Sequence, residues 1–297
     1  MNFSENSYNW LSFSCAYEVH EHTDVTNKEI PLVLIHPIGV GLSRLFWRRF
    51  CHAWLKTNLK NPLYNPDLLG CGESSMPYLA YYPEDWAEQL IYFLQTVVKT
   101  PAIVICQGAL LPVAIALVDK KPELVKGLIF SGPPAWRLIS EDKQSPQQRL
   151  AWNLFASPFG NLFYRYARRR QFLQSFSVRQ LFAEPEAVDE EWLKTLKEGS
   201  QNISSRHAVF SFLSGFWRQD YSQAIAKINQ PTLVVMGKQA SSISREGFTE
   251  TPEQRLESYL KHFPNSTGKE IPGRNVLPYE STLEFAKVVS EFVKSIN

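Results

Sequence analysis

Nothing in the cysteine pattern of this chain suggests a metal centre or a disulfide framework. Cys15, Cys51, Cys71 and Cys106 form no C-x-x-C pair and no zinc-like spacing, and they read as reduced thiols of a cytoplasmic protein. A surplus of one charge is missing too. The chain has 31 lysines and arginines against 29 acids, a net charge of +2, which gives no overall pull toward nucleic acid. The N-terminal MNFSENSYNW lacks a basic segment followed by an apolar run, so no signal peptide is expected. Long hydrophobic runs are absent. The longest, Ala102 to Val118, is broken by Gln107 and Pro112; a buried strand and a buried helix explain it better than a membrane span. There is no internal repeat and no low-complexity tract.

What is present suits a large buried core: 44% of the 297 residues are hydrophobic. Residues 1–9 are polar and read as loose. WLSFSCAYEVHEH suggests an early strand. PLVLIH (31–36) is a short run of branched residues, as a strand buried on both faces requires. LSRLFWRRFCHAWL (42–55) carries a helical apolar stripe. NPLYNP reads as a strand and DLLGCGES as a glycine-rich turn. YPEDWAEQLIYFLQTVV (82–98) reads as one helix, with Pro83 and two acids in its first turn. AIVIC (strand), ALLPVAIALVDKKPELV (helix) and KGLIFSGPP (strand) continue an alternation that implies βαβ units and a parallel sheet. From about 134 to 226 the chain is aromatic-rich and helical. Alternation returns with QPTLVVMG, TPEQRLESYLKHF, GKEIPG and STLEFAKVVSEFVKSI.

The order and spacing of these motifs resemble the α/β-hydrolase family over nearly the whole chain. His36, Pro37, Ile38 and Gly39 match the family's H-G-x-G-like loop. Asp67, Gly70, Gly72 and Ser74 match its D-x-x-G-x-G-x-S turn. The resemblance implies an α/β fold: a mostly parallel central sheet flanked by helices, with a helical cap inserted between the sixth and seventh strands. Residues 1–133 and 227–297 would form the core and 134–226 the cap.

The chemistry of that family needs a nucleophile, a histidine and a carboxylate. Residue-by-residue transfer puts these roles on inert positions. The G-x-S-x-G elbow aligns with VICQGALL, so the nucleophile falls on Gly108 and the flanking glycines on Cys106 and Leu110, whose bulk would open or repack the elbow. The acid falls on Ala240. The histidine falls on Val276, or on Asn275 if the loop shifts by one. Candidate substitutes are Cys106, Ser131 and His207. Each also has a bland reading, as a buried thiol, a loop-initiating serine and a cap residue. The oxyanion-hole donors implied by the resemblance are the N–H groups of Ile38 and Ala109. His36, Gly39, Gln107 and Asn275 are pocket or turn positions. His20 and His22 sit two apart, but with no third ligand evident a solvated strand end is the plainer reading. No metal or cofactor is expected.

The segment NLFYRYARRRQFLQSFSVRQLF (161–182) contains Arg165, Arg168, Arg169, Arg170 and Arg179 and no acid. Two readings stand. Arg168, Arg169 and Arg170 form a patch for an acidic partner protein or an anionic surface. Alternatively, the aromatics face inward and the arginines are solvated or paired with EPEAVDEEW downstream. The functional expectation is a non-hydrolytic member of the fold that binds a small apolar or amphipathic ligand in a cap–core cavity, or a protein partner. The alternative is a hydrolase or lyase of small carbonyl or ester substrates with rebuilt machinery.

Overall fold

The computed structural model describes residues 2–21, 29–141, 146–244 and 247–296. Eight strands form one sheet: β1 (Asn2–Trp10), β2 (Phe13–Glu21), β3 (Leu32–Ile35), β4 (Leu63–Pro66), β5 (Ala102–Gln107), β6 (Val125–Ser131), β7 (Thr232–Gly237) and β8 (Ser266–Ile271). Their spatial order is β1-β2-β4-β3-β5-β6-β7-β8. β2 runs antiparallel to both neighbours, and from β4 to β8 every pairing is parallel.

The central strands β3 and β5 are apolar up to the polar end residue Gln107 because both sheet faces are covered. Side chains alternate between the two faces. On β3, Leu32 and Leu34 enter one core cluster while Val33 and Ile35 enter the other; on β5, Ile103 and Ile105 oppose Val104 and Cys106 in the same way. Helices α1 (Arg48–Trp54) and α13 (Thr282–Ile296) cover the first face with Phe50, Trp54, Phe285 and Val289. Helices α2 (Pro83–Phe93), α3 (Leu111–Lys120) and α11 (Pro252–His262) cover the second with Leu90, Ala114 and Tyr259. Between β6 and β7 the chain is helical: α4 (Arg137–Ser140), α5 (Pro146–Ala156), α6 (Pro158–Ala167), α7 (Arg170–Phe176), α8 (Glu190–Gly199), α9 (Arg206–Leu213) and α10 (Ser222–Ile225). A short helix α12 (Leu277–Glu280) precedes α13.

Three elements differ from the sequence reading. The N-terminal residues are not loose: Asn2–Trp10 pairs with β2 along its whole length. Its polar sequence hides it, since an edge strand needs only backbone partners and a few anchors. Tyr8 and Trp10, two apart and hence on one face, pack on the core, and the Tyr8 ring lies 5.0 Å from that of Phe93. The helix expected over 82–98 stops at Phe93 and continues as a wider turn over Leu94–Val98. Lys99 closes it in a left-handed conformation, its N–H on the Leu94 carbonyl at 2.7 Å. His20 is buried on β2 with Nε2 3.2 Å from Glu18 Oε2, rather than solvated. His22 lies outside the described residues.

Candidate functional site

The C-terminal ends of β5, β6, β7 and β8 lie side by side, where open α/β sheets place their ligand crevices. β5 ends extended at Gln107. Gly108 then turns the chain with φ +66°, and a single turn over Gly108–Leu110 leads into α3. That left-handed value strains any residue with a side chain and leaves glycine unstrained. A Cβ built on Gly108 would meet nothing within 4 Å. Glycine at the apex is therefore not forced by crowding; there is open space over the elbow. Cys106 and Leu110 have not opened the turn. Both are absorbed into the core beneath it.

Hydrogen bonds tie the neighbouring loops together. Gln107 Nε2 donates to the Asn275 carbonyl at 2.7 Å. Asn275 Nδ2 donates to the Ser241 carbonyl at 3.0 Å and to the Gln180 carbonyl at 2.7 Å, and its Oδ1 accepts from the Ser241 N–H at 3.3 Å. Ser131 ends β6 in register with Gln107. Thus the loops carrying Gly108, Ala240 and Val276 meet. Ala240 is buried, and Val276 packs in the apolar core beside Leu277 and Tyr279. The nearby carboxylate of Glu280 spends both oxygens on the N–H groups of Ala183 and Arg274.

Some polar groups in this region have no partner. Gln107 Oε1 and Ser131 Oγ are buried and unpaired, a state that costs about 1–3 kcal/mol per group unless a water or ligand supplies the bond. Among the described residues no loop or cap hydrogen bond takes up the N–H groups of Ile38 and Ala109, and both residues are half-buried. Ala109 lies in the first turn of its helix, where N–H groups are unpaired and the helix dipole favours negative charge.

The remaining candidates are chemically quiet. The Cys106 thiol is fully enclosed, and burial raises its pKa well above the ordinary thiol range, so thiolate is not available. His36 is buried on the β3 loop, with Nδ1 on the Pro37 carbonyl at 2.8 Å and Nε2 accepting from the Leu68 N–H at 3.1 Å. Those bonds fix a neutral tautomer, and burial lowers its pKa. Gly39 holds the same loop by accepting from the Leu42 N–H at 3.1 Å. His207 is buried on α9 against Tyr78, with ring centroids 4.7 Å apart, and near Trp152. Among the described residues no ring contact or hydrogen bond joins it to the ends of β5–β8. Burial holds its pKa down at about 4.

A model of the alpha/beta hydrolase family matches residues 32–288. This chain belongs to the alpha/beta hydrolase family. A relative from Cyberlindnera fabianii described as "Probable alcohol acetyltransferase" is 22% identical, over 95% of this chain and 78% of its own. Among solved structures, Cfl2 from Burkholderia cenocepacia is similar with a TM-score of 0.77 and 17% identity, covering 98% of this chain and 96% of that one. A thermophilic esterase from Thermogutta terrifontis, solved with malate bound, has a TM-score of 0.72 at 18% identity, covering 100% and 99%. At such identities these structures establish the fold alone.

The family motif DLLGCGES has a structural cause here. Asp67 is fully buried. Its Oδ1 accepts from the Arg44 N–H at 2.8 Å and its Oδ2 from the Glu73 N–H at 2.9 Å and from Arg44 Nη1. The turn folds so closely around it that a Cβ on Gly72, at φ +56°, would lie 2.1 Å from the carboxylate. Ser74 Oγ closes the loop on the Asp67 carbonyl at 2.9 Å. Arg44 also pairs with Glu18 at 3.0 Å. Sequence reasoning missed Arg44. The signal was its apolar context: an arginine on the inner side of LSRLFW, beside Phe46 and Trp47, needs a buried acid.

Proposed function

We propose that this family member does not hydrolyse esters and instead binds a small carboxylate or carbonyl compound in the space over Gly108. The observation that carries this reading is the elbow itself. It keeps the left-handed turn and the open space but has no side-chain atom there to attack a carbonyl. The aligned acid and base positions, Ala240 and Val276, offer no proton-transfer group. The N–H groups of Ile38 and Ala109 are the donors of this reading, and the unpaired Ser131 Oγ and the acceptor Gln107 Oε1 lie at the paired ends of β6 and β5. The Ala109 N–H, at a helix start, suits an anionic or carbonyl oxygen, and the Ile38 N–H on the loop after β3 is the second donor of this reading. The relative described as a probable alcohol acetyltransferase is consistent with a small carbonyl compound as ligand.

The experiment is a thermal-shift titration with malate, related small carboxylates and short esters. At least one compound is expected to raise Tm without being consumed, and Ser131→Ala should weaken that shift. The reading fails if none shifts Tm, if the shift survives both Ser131→Ala and Gly108→Ala, or if an ester is turned over.

A further inference from the structure

Helices α5 and α6 expose an apolar face that the fold does not use. On α6 the residues Phe159, Leu162, Phe163 and Tyr166 recur at helical spacing and are all exposed, Phe159 to 72% and Leu162 to 65%. The opposite stripe, Gly160, Tyr164 and Ala167, is the one buried: Tyr164 donates to or accepts from Ser205 Oγ at 2.6 Å, and Gly160 lies against the Phe155 backbone. On α5, Leu150 and Leu154, one turn apart, are exposed as well. Only Ser157 separates the two helices. Six large apolar side chains exposed on two consecutive helices exceed the scattered exposure of an ordinary monomer.

The charge around this face has one sign. From residue 143 to 183 the chain contains no aspartate or glutamate, and Arg149, Arg165 and Arg169 flank the apolar positions. All three are exposed, and among the described residues none has an ion pair with an acid. Arg169 lies over the Tyr166 ring at 5.7 Å, and Arg165 Nε donates to Asn161 at 3.3 Å. Two arginines of the triple are spent internally: Arg168 donates to the carbonyls of Ser200 and Gln201, and Arg170 is bidentate on Glu190. Arg149, Arg165 and Arg169, by contrast, stand beside the exposed leucines and aromatics.

We infer that the α5–α6 face seats this protein on an anionic lipid surface, its leucines and aromatics entering the headgroup–acyl boundary and Arg149, Arg165 and Arg169 meeting the headgroups. Apolar side chains interleaved with arginines and free of acids are the composition of helices that lie in a membrane interface. A second copy of the chain is disfavoured as occupant, because it would bring like-charged arginines together. No helix among the described residues is long and apolar enough to cross a membrane, so the attachment is peripheral.

The test is co-sedimentation of the full chain with phosphatidylcholine vesicles, with and without phosphatidylglycerol. Binding to the anionic vesicles only is expected, weakening as salt rises. A basic residue near such a surface contributes about 1 kcal/mol, so the triple variant R149Q/R165Q/R169Q should lose on the order of a hundred-fold in affinity. F159S/F163S should also abolish binding, with an unchanged circular dichroism spectrum. R168Q/R170Q, which alters internally paired arginines, should bind within a few-fold of the parent chain. Failure of the parent chain to bind anionic vesicles overturns the inference. So does binding that survives F159S/F163S, or a dimer of the parent chain that this variant disperses.

Discussion

Gln107, the last residue of β5, donates from Nε2 to the backbone carbonyl of Asn275 in the loop after β8, at 2.7 Å. This bond joins the elbow to the loop where a family hydrolase would hold its histidine. Replacing Gln107 by alanine leaves the Asn275 carbonyl without that donor. The expected loss is about 1–3 kcal/mol of unfolding free energy, read from urea denaturation. No change in the midpoint would show the bond to be idle.

Gly108→Ser should fold, because a Cβ there meets open space. Its left-handed backbone should cost about 1–2 kcal/mol. The serine should not hydrolyse p-nitrophenyl acetate above background, since neither Ala240 nor Val276 can activate it. Measurable turnover by this variant would mean that a base stands nearby after all.

Arg44 is held in the interior by Asp67 and Glu18. Arg44→Met would strand two buried carboxylates and should lower stability by about 3–5 kcal/mol. The double variant R44M/D67N should be milder than the sum of the single ones, because the two residues share one interaction.

His207 gives a pH signature. Its pKa in the fold is about 4, against an ordinary 6.5. Between those values the unfolded chain binds a proton that the folded chain does not, so the His207 contribution is full above about pH 6.5. It falls as pH drops toward 4 and is flat below, a total of roughly 3 kcal/mol. His36 is shifted in the same direction by burial. His207→Gln should flatten the stability profile between pH 6.5 and 4 relative to the parent chain. Parallel profiles would contradict the assignment.

The parallel sheet and its covering helices were legible because strands buried on both faces must be apolar at every position, as LVLI and AIVIC are. The tight turn after β5 was legible for a similar reason. Gly108 sits where strand, turn and helix follow in fixed order, and its φ of +66° fits that reading. What escaped was set by partners distant in sequence. β1 is polar and visible only through its pairing with β2. His20 is buried through Glu18 rather than solvated. The aromatics of 161–182 divide: Tyr164 and Phe182 are buried, whereas Phe163 and Tyr166 face outward. Helical spacing gives both stripes of α6 as apolar, and the inner one is set by distant partners: Tyr164 packs on Phe210 and bonds Ser205 Oγ.

The most direct measurement is intact-mass spectrometry of the folded chain after incubation with a fluorophosphonate and, separately, with iodoacetamide at neutral pH. An elbow without a nucleophile and four buried cysteines predict an unmodified mass in both, with all four thiols labelled only after guanidinium is added. A single phosphonate adduct on Ser131, or alkylation of Cys106 in the folded chain, would show an activated nucleophile and contradict the non-hydrolytic reading.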